Sequence, residues 1–365
     1  MKLFEPISIG NCTLKNRLVF APYETNYASE EGVASPRQIE HYQKIAKGGV
    51  GLIVVEAANV NPDLSVRGTR FLLGAYEDKL IPHLENISKV IHKENGKVLL
   101  QLVDKSLLAR KVKPADLSVN EIEQMVERFV NAGIRAKKAG FDGVDYHWAA
   151  MYSVADFLSM LANKRTDEYG KGVEGRARIA VEILKKTRPA VGNDFMLVPR
   201  YSGDELVLMG NTIKQTKELS KIFEAAGADM LDITAGGRRD ESDRTGEEFY
   251  SAHRSVPREY MPDGVNAYIM DEIKKEVSIP VIAVGKIKTS ALAEEILQQG
   301  KADLIAMGRQ LFCDPDFPQK VQEGREAEII SCLSCRYCHK LYFQDKPIEC
   351  VKRVKKQSGE TEAMV

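Results

Sequence analysis

Short apolar runs alternate with longer amphipathic stretches along most of the chain, and this alternation predicts its secondary structure. The short runs are apolar at consecutive positions, which is typical of strands buried on both faces of a parallel sheet. Eight of them are found, at residues 17–22, 51–57, 97–102, 143–147, 196–201, 230–234, 280–285 and 303–307. The longer stretches carry apolar residues three and four positions apart, which predicts amphipathic helices. They lie at residues 120–139, 173–188, 213–226, 267–276 and 291–299.

The order of these elements predicts the fold class. Eight strands that alternate with helices are typical of an α/β protein built as a (β/α)8 barrel, the TIM barrel. A doubly wound open sheet is the second candidate, but the glycine-rich fingerprint that follows its first strand is missing. We therefore predict that residues 1–327 form one barrel. Residues 328–365 are predicted to form a short cysteine-rich segment and a polar tail.

Polar and small residues follow the predicted strands, at the end of a barrel where catalytic and binding residues are found. The residues at these positions are Pro22, Tyr23, Glu24, Ala57, Gln101, His147, Tyr152, Arg200, Gly285, Lys286, Gly308 and Arg309. Glycines after the seventh and eighth strands let backbone N–H groups approach a phosphate. The amide of Gln101 and the guanidinium of Arg200 suit the polar edge of a flavin. Plainer interpretations are turn glycines, an arginine paired with an acid, and a half-buried histidine or tyrosine.

Four cysteines near the end of the chain have the spacing of a metal site. Cys332, Cys335, Cys338 and Cys350 follow the pattern Cys-x2-Cys-x2-Cys-x11-Cys. Zinc sites more often use two separated Cys-x-x-Cys arms, whereas three clustered thiols and one distant thiol suit a [4Fe–4S] cluster. A zinc site and unrelated reduced thiols are the alternatives. Cys12 and Cys313 are predicted to stand alone as packing residues.

Composition limits the partners and the compartment. The 365 residues include 52 basic and 52 acidic side chains, a formal net charge of zero, which argues against nucleic acid or a membrane surface as the main partner. No apolar run is long enough to span a membrane, and the first residues lack the apolar region of a signal peptide. The cysteine motif without an export signal therefore predicts a reducing, cytoplasmic location.

Several stretches together identify a family resemblance. They are Asn-Arg-Leu-Val-Phe-Ala-Pro at 16–22, Lys-Gly-Gly-Val-Gly-Leu-Ile at 47–53, Ala-Gly-Phe-Asp-Gly-Val at 139–144, Asn-Lys-Arg-Thr-Asp-Glu-Tyr-Gly at 163–170 and Met-Gly-Arg at 307–309. Over nearly its whole length the chain resembles the Old Yellow Enzyme class of flavin oxidoreductases. Its cysteine motif is similar to that of the branch containing 2,4-dienoyl-CoA reductase and trimethylamine dehydrogenase.

The resemblance implies two cofactors, FMN and a [4Fe–4S] cluster. It implies FMN contacts at Pro22, Ala57, Gln101, Arg200, Gly285, Lys286, Gly308 and Arg309. It also implies that Tyr152 is a proton donor and that His147 binds a substrate carbonyl. The chain departs from the family at Ala150, where a second histidine or an asparagine is common, at Asp104, and at Glu24, where a small or sulfur-bearing residue is usual. Longer members continue into FAD- and NAD(P)-binding domains, which we expect to be absent here.

These observations predict a reductase of an activated C=C bond in an enone, enoate or enoyl thioester. A hydride would come from FMN N5 and a proton from Tyr152, with His253 as the reserve donor. Electrons would enter through the cluster from a separate protein, such as a flavodoxin, a ferredoxin or a flavin reductase. One alternative is an amine dehydrogenase or demethylase that passes electrons outward, and another is a non-catalytic, zinc-stabilised interaction module. The oligomeric state stays open.

Overall fold

A computed structural model describes residues 1–238 and 250–353 of the chain. An N-terminal hairpin of β1 (Ile7–Ile9) and β2 (Cys12–Leu14) precedes the main sheet. The main sheet contains eight central strands and the two-residue strand β5 (Leu73–Gly74), which adds to the end of β4. The central strands are β3 (Leu18–Phe20), β4 (Leu52–Asn59), β6 (Lys97–Val103), β7 (Gly143–Trp148), β8 (Met196–Ser202), β9 (Leu231–Thr234), β10 (Val281–Val284) and β11 (Leu304–Met307).

The eight central strands are parallel and form a closed ring. Each pairs with the next along the chain, and the ring closes because β3 pairs with both β4 and β11. The predicted (β/α)8 barrel is therefore confirmed, and the open doubly wound sheet is excluded. Every strand lies within one or two residues of its predicted bounds.

Helices surround the barrel and connect its strands. They are α1 (Pro36–Lys47), α2 (Ile81–His92), α3 (Ser106–Arg110), α4 (Val119–Lys138), α5 (Ser153–Leu158), α6 (Gly172–Val191), α7 (Ile213–Ala225), α8 (Tyr250–Ser255), α9 (Ala267–Lys274), α10 (Ser290–Gln298), α11 (Arg309–Cys313), α12 (Phe317–Gln322) and α13 (Tyr337–Phe343). The five predicted helices are all present. Helix α4 begins where predicted because Ser118 and Glu121 form a capping box at its N-terminus. None of the described helices is both long and apolar enough to cross a membrane.

Aliphatic side chains from alternate strand positions fill the barrel interior. They are Val19, Leu52, Val54, Leu99, Met196, Val198, Met230, Ile282, Leu304 and Ala306. Ile9, Cys12 and Leu14 of the hairpin join the same cluster, so the hairpin packs against the barrel interior. The predicted packing role of Cys12 is therefore confirmed.

The cysteine-rich segment packs against the loop that follows β3. Ile348 is fully buried, and its backbone N–H donates to the Thr25 carbonyl at 3.0 Å. The Tyr27 hydroxyl donates to the Ile348 carbonyl at 2.7 Å, and the Asn26 amide donates to the Tyr342 carbonyl at 3.0 Å. The barrel loop thus holds the segment against the carboxyl ends of the strands.

That loop is itself anchored by a buried carboxylate, Glu56 of β4. Glu56 accepts hydrogen bonds from the Thr25 N–H at 2.8 Å, the Thr25 hydroxyl at 2.7 Å and the Gln38 amide at 2.6 Å. Burial raises the pKa of Glu56 to about 7, against the lowering effect of its hydrogen bonds. Removing this carboxyl would leave several buried donors without an acceptor.

We expect Glu56→Ala to lower the free energy of unfolding by about 3–5 kcal/mol, because each unsatisfied buried donor costs about 1–3 kcal/mol. Urea unfolding followed by circular dichroism measures this. Glu123→Ala, at an exposed position of α4, is the matched control and should change stability by less than about 0.5 kcal/mol. Equal stability of the two variants would contradict the anchoring role.

Candidate functional site

A cavity of about 420 Å³ opens at the carboxyl ends of the barrel strands. Most of the residues predicted from the strand ends line it: Pro22, Tyr23, His147, Tyr152, Arg200, Gly285, Lys286, Gly308 and Arg309. They come together because the carboxyl ends of all parallel strands meet at one face of a closed barrel. Cavities of this size hold small ligands or cofactors.

Strand register places three polar side chains in one row across this face. His147 of β7 is opposite Arg200 of β8, and Arg200 is opposite Asp232 of β9. Arg200 Nη1 donates to Asp232 Oδ2, and the guanidinium also reaches the cavity wall. Arg200 is therefore the partner of an acid, as the plainer interpretation expected, and it also lines the cavity, where the predicted flavin contact would be made.

Gln101 lies in the layer below this row. It is 2% exposed, and its amide donates to Asp145 Oδ1 at 2.7 Å. Burial and the nearby Asp232 carboxylate raise the pKa of Asp145 well above its usual range. In the described part of the chain, Gln101 is not among the residues that line the cavity. The amide of Gln101 is thus bound to Asp145 within the barrel, and the predicted flavin contact is not seen in the described cavity lining.

His147 and Tyr152 lie together on the cavity wall. Their rings meet edge to face with centroids 4.6 Å apart, and His147 Nδ1 is buried without a hydrogen-bond partner among the described residues. Burial, together with the charges of Arg200 and Lys105, holds the pKa of His147 well below its usual range. Burial also raises the pKa of Tyr152. At neutral pH the wall therefore presents a neutral imidazole beside a protonated phenol.

The part of the cavity beside Gly285, Gly308 and Arg309, after the last two strands, suits an anion. Arg309 Nη1 is buried without a partner among the described residues, while Nη2 donates to the Pro257 carbonyl at 2.9 Å. At Gly308 an added Cβ would have only the Ala21 Cβ within 4 Å among the described atoms, so the backbone faces open space. Gly285 has φ +133°, a conformation that favours glycine. These features fit the phosphate of a flavin mononucleotide, which barrels bind after their last two strands.

Other predicted residues lie outside the cavity lining of the described chain. Ala57 is buried and packs in a small cluster with Tyr152. His253 is 8% exposed, and its Nδ1 lies 2.8 Å from the Tyr260 hydroxyl. The structure therefore does not bring the reserve donor His253 to the cavity. Lys286 lines the cavity, but its ammonium donates to the Glu259 carbonyl at 2.6 Å.

The sequence analysis missed several lining residues, including Thr69, His339 and Tyr342. The buried Lys105 is another of them. It follows β6, is 2% exposed and forms an ion pair with Glu24 at 2.9 Å. Glu24 itself is not in the described cavity lining, so its carboxylate reaches the site through Lys105. The position of Lys105 two residues after β6 was the available signal, but its polar neighbours Asp104 and Ser106 lie at the same strand end and do not single it out.

The four cysteines of the spacing motif line one small cavity beside the first. Cys332, Cys335, Cys338 and Cys350 surround it together with Arg309. Cys332 and Arg309 also line the larger cavity, so the two share a wall. The Tyr23 hydroxyl, from the larger cavity, donates to Cys338 Sγ at 3.0 Å. In the described ranges, no three His, Cys, Asp or Glu side chains converge on a position for a single metal ion.

The prediction that Cys313 stands alone is wrong. Its side chain lies in the wall of the small cavity beside Cys350, and the interaction of the two thiols lowers the pKa of Cys350 and raises that of Cys313. Cys313 ends the short helix α11 after the last barrel strand, and the returning segment brings Cys350 to it. Residues that are 37 positions apart in sequence, from 313 to 350, meet only through this tertiary path.

Comparison with known proteins gives consistent matches. The model of the NADH:flavin oxidoreductase / NADH oxidase family matches residues 2–110 and 104–328. The chain is 35% identical over 359 residues to an NADH oxidase of Thermoanaerobacter brockii, which covers 91% of this chain and 52% of that protein. It is 32% identical over 346 residues to an NADPH dehydrogenase of Bacillus subtilis (strain 168), which covers 90% of this chain and 96% of that protein.

One solved structure has a similar fold over most of this chain. It is 2-naphthoyl-CoA reductase in complex with 2-naphthoyl-CoA, with a TM-score of 0.86, 27% identity, and coverage of 96% of this chain and 56% of that one. The chain spans about half the length of the first relatives that it matches. The matched family model, together with the barrel and its strand-end cavity, leads to one conclusion: this chain belongs to the NADH:flavin oxidoreductase / NADH oxidase family.

Proposed function

We propose that this chain is an FMN- and [4Fe–4S]-dependent reductase of an activated C=C bond in an enone, enoate or enoyl thioester. The observation that carries the proposal is the protonated Tyr152 beside the neutral His147 on one cavity wall. A bound flavin would supply the redox chemistry, and the protein would supply orientation and electrostatics. Arg200, Gly308 and Arg309, which line the cavity, would hold it.

His147 and Tyr152 have separate tasks in this proposal. When His147 Nδ1 carries its proton, it can donate a hydrogen bond to the carbonyl oxygen conjugated to the C=C bond, and so stabilise negative charge that develops there. Tyr152 then gives its hydroxyl proton to the α carbon of the same substrate. The low pKa of His147 keeps its ring neutral throughout, which leaves the phenol as the acid.

The cysteines support an iron–sulfur cluster better than zinc. All four line one small cavity, and three of them are clustered in sequence with one distant, the spacing that suits a [4Fe–4S] cluster. In a [4Fe–4S] cluster each thiolate binds its own iron atom, so the ligands surround a volume and need not converge on one ion. Cys332, Cys335, Cys338 and Cys350 would hold it, and it would supply one-electron transfer. Such free thiols would be retained in the reducing cytoplasm.

Charge in the cavity favours the ene-reductase proposal over amine oxidation. The Lys105 ammonium and the Arg200 guanidinium both lie in the wall. They would oppose a protonated amine, whereas they are compatible with a substrate on which negative charge develops. Trp148 adds no aromatic cage to the site, because it is 1% exposed and stacks on Tyr146 within the barrel wall.

Anaerobic purification followed by analysis of flavin, iron and zinc tests the proposal directly. We expect FMN and iron in the protein, and oxidation of the reduced enzyme by enones, enoates or enoyl thioesters but not by imines. Reduction of the oxidised enzyme by secondary or tertiary amines would instead support the dehydrogenase alternative. Protein with tightly bound zinc and no flavin would support the interaction module and contradict the proposal.

We also propose a separate one-electron donor protein, a flavodoxin, ferredoxin or flavin reductase, that docks beside the cysteine segment. Cys335 is exposed, and Leu333 and Tyr337 beside it are 45% and 38% exposed. Redox partners typically bind through small, transient contacts of this kind.

In stopped-flow mixing, we expect a reduced ferredoxin-type donor to reduce the flavin at least about 10-fold faster than NADH or NADPH does. The Cys335→Ala variant should lose this advantage, whereas Cys12→Ala, in the barrel core, should keep it. The expectation rests on the cluster acting as a one-electron relay, which hydride transfer from a nicotinamide does not need. Fast, saturable reduction by a nicotinamide that is unaffected by Cys335→Ala would contradict the partner model.

A further inference from the structure

Lys105 is held in a buried network at the edge of the cavity. Its ammonium donates to Glu24 Oε1 at 2.9 Å, to Glu24 Oε2 at 3.1 Å and to the Thr69 hydroxyl at 2.8 Å. The Tyr342 hydroxyl of α13 donates to Glu24 Oε2 and lies 3.1 Å from the Thr69 hydroxyl. The donors and acceptors of this network come from four separate segments of the chain, so its geometry is strongly constrained.

The network brings a charge to Tyr152. Lys105 Nζ lies 5.0 Å from the centroid of the Tyr152 ring, and both side chains line the cavity. The carboxylate of Glu24 lies behind Lys105, outside the described lining. Tyr152 therefore faces the cation of this ion pair, with the anion behind it.

The two charges act on Tyr152 in opposite directions. Burial raises the pKa of Tyr152, the nearby Lys105 ammonium lowers it, and the Glu24 charge raises it. Burial alone would lower the pKa of Lys105, but the charge of Glu24, together with Tyr152, Tyr342 and the hydrogen bond to Glu24, raises it and keeps the ammonium protonated. A charged ammonium beside a phenol favours the phenolate form.

We propose that Lys105 is a positioning residue that stabilises the phenolate left on Tyr152 after proton transfer, and that Glu24 sets how strongly it does so. In this step the O–H bond of Tyr152 breaks and a C–H bond forms at the substrate α carbon. The negative charge stays on the Tyr152 oxygen, beside the ammonium, until a solvent proton restores the phenol. The inference rests on the proposed role of Tyr152 as the donor.

The competing explanation is that the ion pair only joins the strand-end loops to α13. If the pair were purely structural, removing either Lys105 or Glu24 would lower the stability of the protein. The pKa of Tyr152 would then not be expected to shift in opposite directions in the two variants. The proposed role instead predicts that the pKa of Tyr152 rises when Lys105 is neutralised and falls when Glu24 is neutralised. That difference in sign provides the test.

The test follows the ionisation of Tyr152 in two ways. One is the pH dependence of the oxidative half-reaction, the reaction of the reduced enzyme with 2-cyclohexenone under single-turnover conditions. The other needs no turnover: it is the near-ultraviolet absorbance of phenolate during a pH titration, taken as the difference between each variant and the same variant carrying Tyr152→Phe. The second readout isolates one tyrosine among the 13 in the chain.

We expect Lys105→Met to raise the pKa of Tyr152 by about 1–3 units, the usual effect of removing an opposite charge at this distance. The alkaline limb of the pH profile should move up by the same amount, and the rate at neutral pH should fall about 10-fold because the phenol is a weaker acid. Glu24→Gln should move both readouts down, because Lys105 then acts without its counter-charge. Lys105→Arg keeps the positive charge, so the alkaline limb of its pH profile should lie close to that of the unaltered enzyme.

Two further variants separate charge from stability. Glu24→Gln/Lys105→Met removes both charges, and its Tyr152 pKa should lie between those of the single variants. Lys89→Met breaks an exposed ion pair with Glu85 on α2 and should leave both readouts unchanged. Flavin content and circular dichroism identify any variant that fails to fold. If a single variant fails, the pKa of Tyr152 is compared between the double variant and Lys105→Arg instead.

Each outcome is decisive. Shifts of the same sign in Lys105→Met and Glu24→Gln, or no shift, would overturn this inference while leaving the reductase proposal intact if Tyr152→Phe is still slow. An oxidative half-reaction unchanged in Tyr152→Phe would overturn the donor role, and this inference with it. Opposite shifts together with a slow Tyr152→Phe variant would establish both.

Discussion

Replacing Tyr152 by phenylalanine is expected to slow the reduction of an activated C=C bond by about 10²–10⁴-fold, the usual contribution of a general acid. Reduction of the flavin should be unaffected, because the hydroxyl is needed only when the substrate receives its proton. The geometry supports this division: Tyr152 lies against His147 on the cavity wall, and burial keeps it protonated. Stopped-flow measurement of the two half-reactions separately measures the effect.

The matched control is Tyr169→Phe, which removes a hydroxyl that bonds to Glu182 away from the cavity. Both of its half-reactions should keep their rates. An oxidative half-reaction that stays fast in Tyr152→Phe would assign the proton to another group. His253 is a poor substitute, because its ring contacts Tyr260 and it lies outside the described cavity lining.

Replacing Cys335 by alanine is expected to remove the iron from the protein, about four atoms per chain, while much of the FMN stays bound. The loss should be nearly complete, because each corner of the cluster needs its own thiolate. The flavin should remain because its candidate site is formed by barrel residues such as Arg200 and Gly308, not by Cys335. Iron and flavin analysis of anaerobically purified protein, with absorbance spectra, measures both.

Cys313→Ala is the informative control for the cluster. Cys313 contacts Cys350 but lies outside the spacing motif, so we expect Cys313→Ala to retain iron and Cys350→Ala to lose it. If instead Cys313→Ala lost the iron and Cys350→Ala retained it, Cys313 and not Cys350 would be the fourth ligand. Anaerobic protein that contains tightly bound zinc and no iron would reject the cluster altogether.

The barrel was predictable because its signal is local. Strands buried on both faces are apolar at consecutive positions, and the helices between them repeat every three to four residues. Neither pattern depends on distant residues, so all eight strands and the five predicted helices were located. Their ends were less certain: α6 continues through Pro189 to Val191, three residues past its predicted end. The helix ends before Gly192, whose φ of +77° favours glycine, so the boundary lies at the glycine and not at the proline.

The candidate site was predictable where it depends on topology alone. A closed parallel barrel brings the carboxyl ends of all its strands to one face, so residues such as Arg200, Gly308 and Arg309 had to lie near one another. Topology does not specify which side chains at that face turn toward the cavity. Gln101 bonds to Asp145 beneath it, and Glu24 is held behind Lys105. These orientations depend on partners from neighbouring strands and loops.

The sequence by itself determined the eight-stranded barrel, the strand-end face and the spacing of the four motif cysteines. Only the tertiary structure revealed that Lys105 pairs with Glu24, 81 residues away, and faces Tyr152, and that Cys313 lies against Cys350. The physical reason is that periodicity and spacing reflect the backbone conformation of one segment. Charge pairing and thiol proximity between segments are decided by how the folded elements pack, and burial then makes those contacts strong.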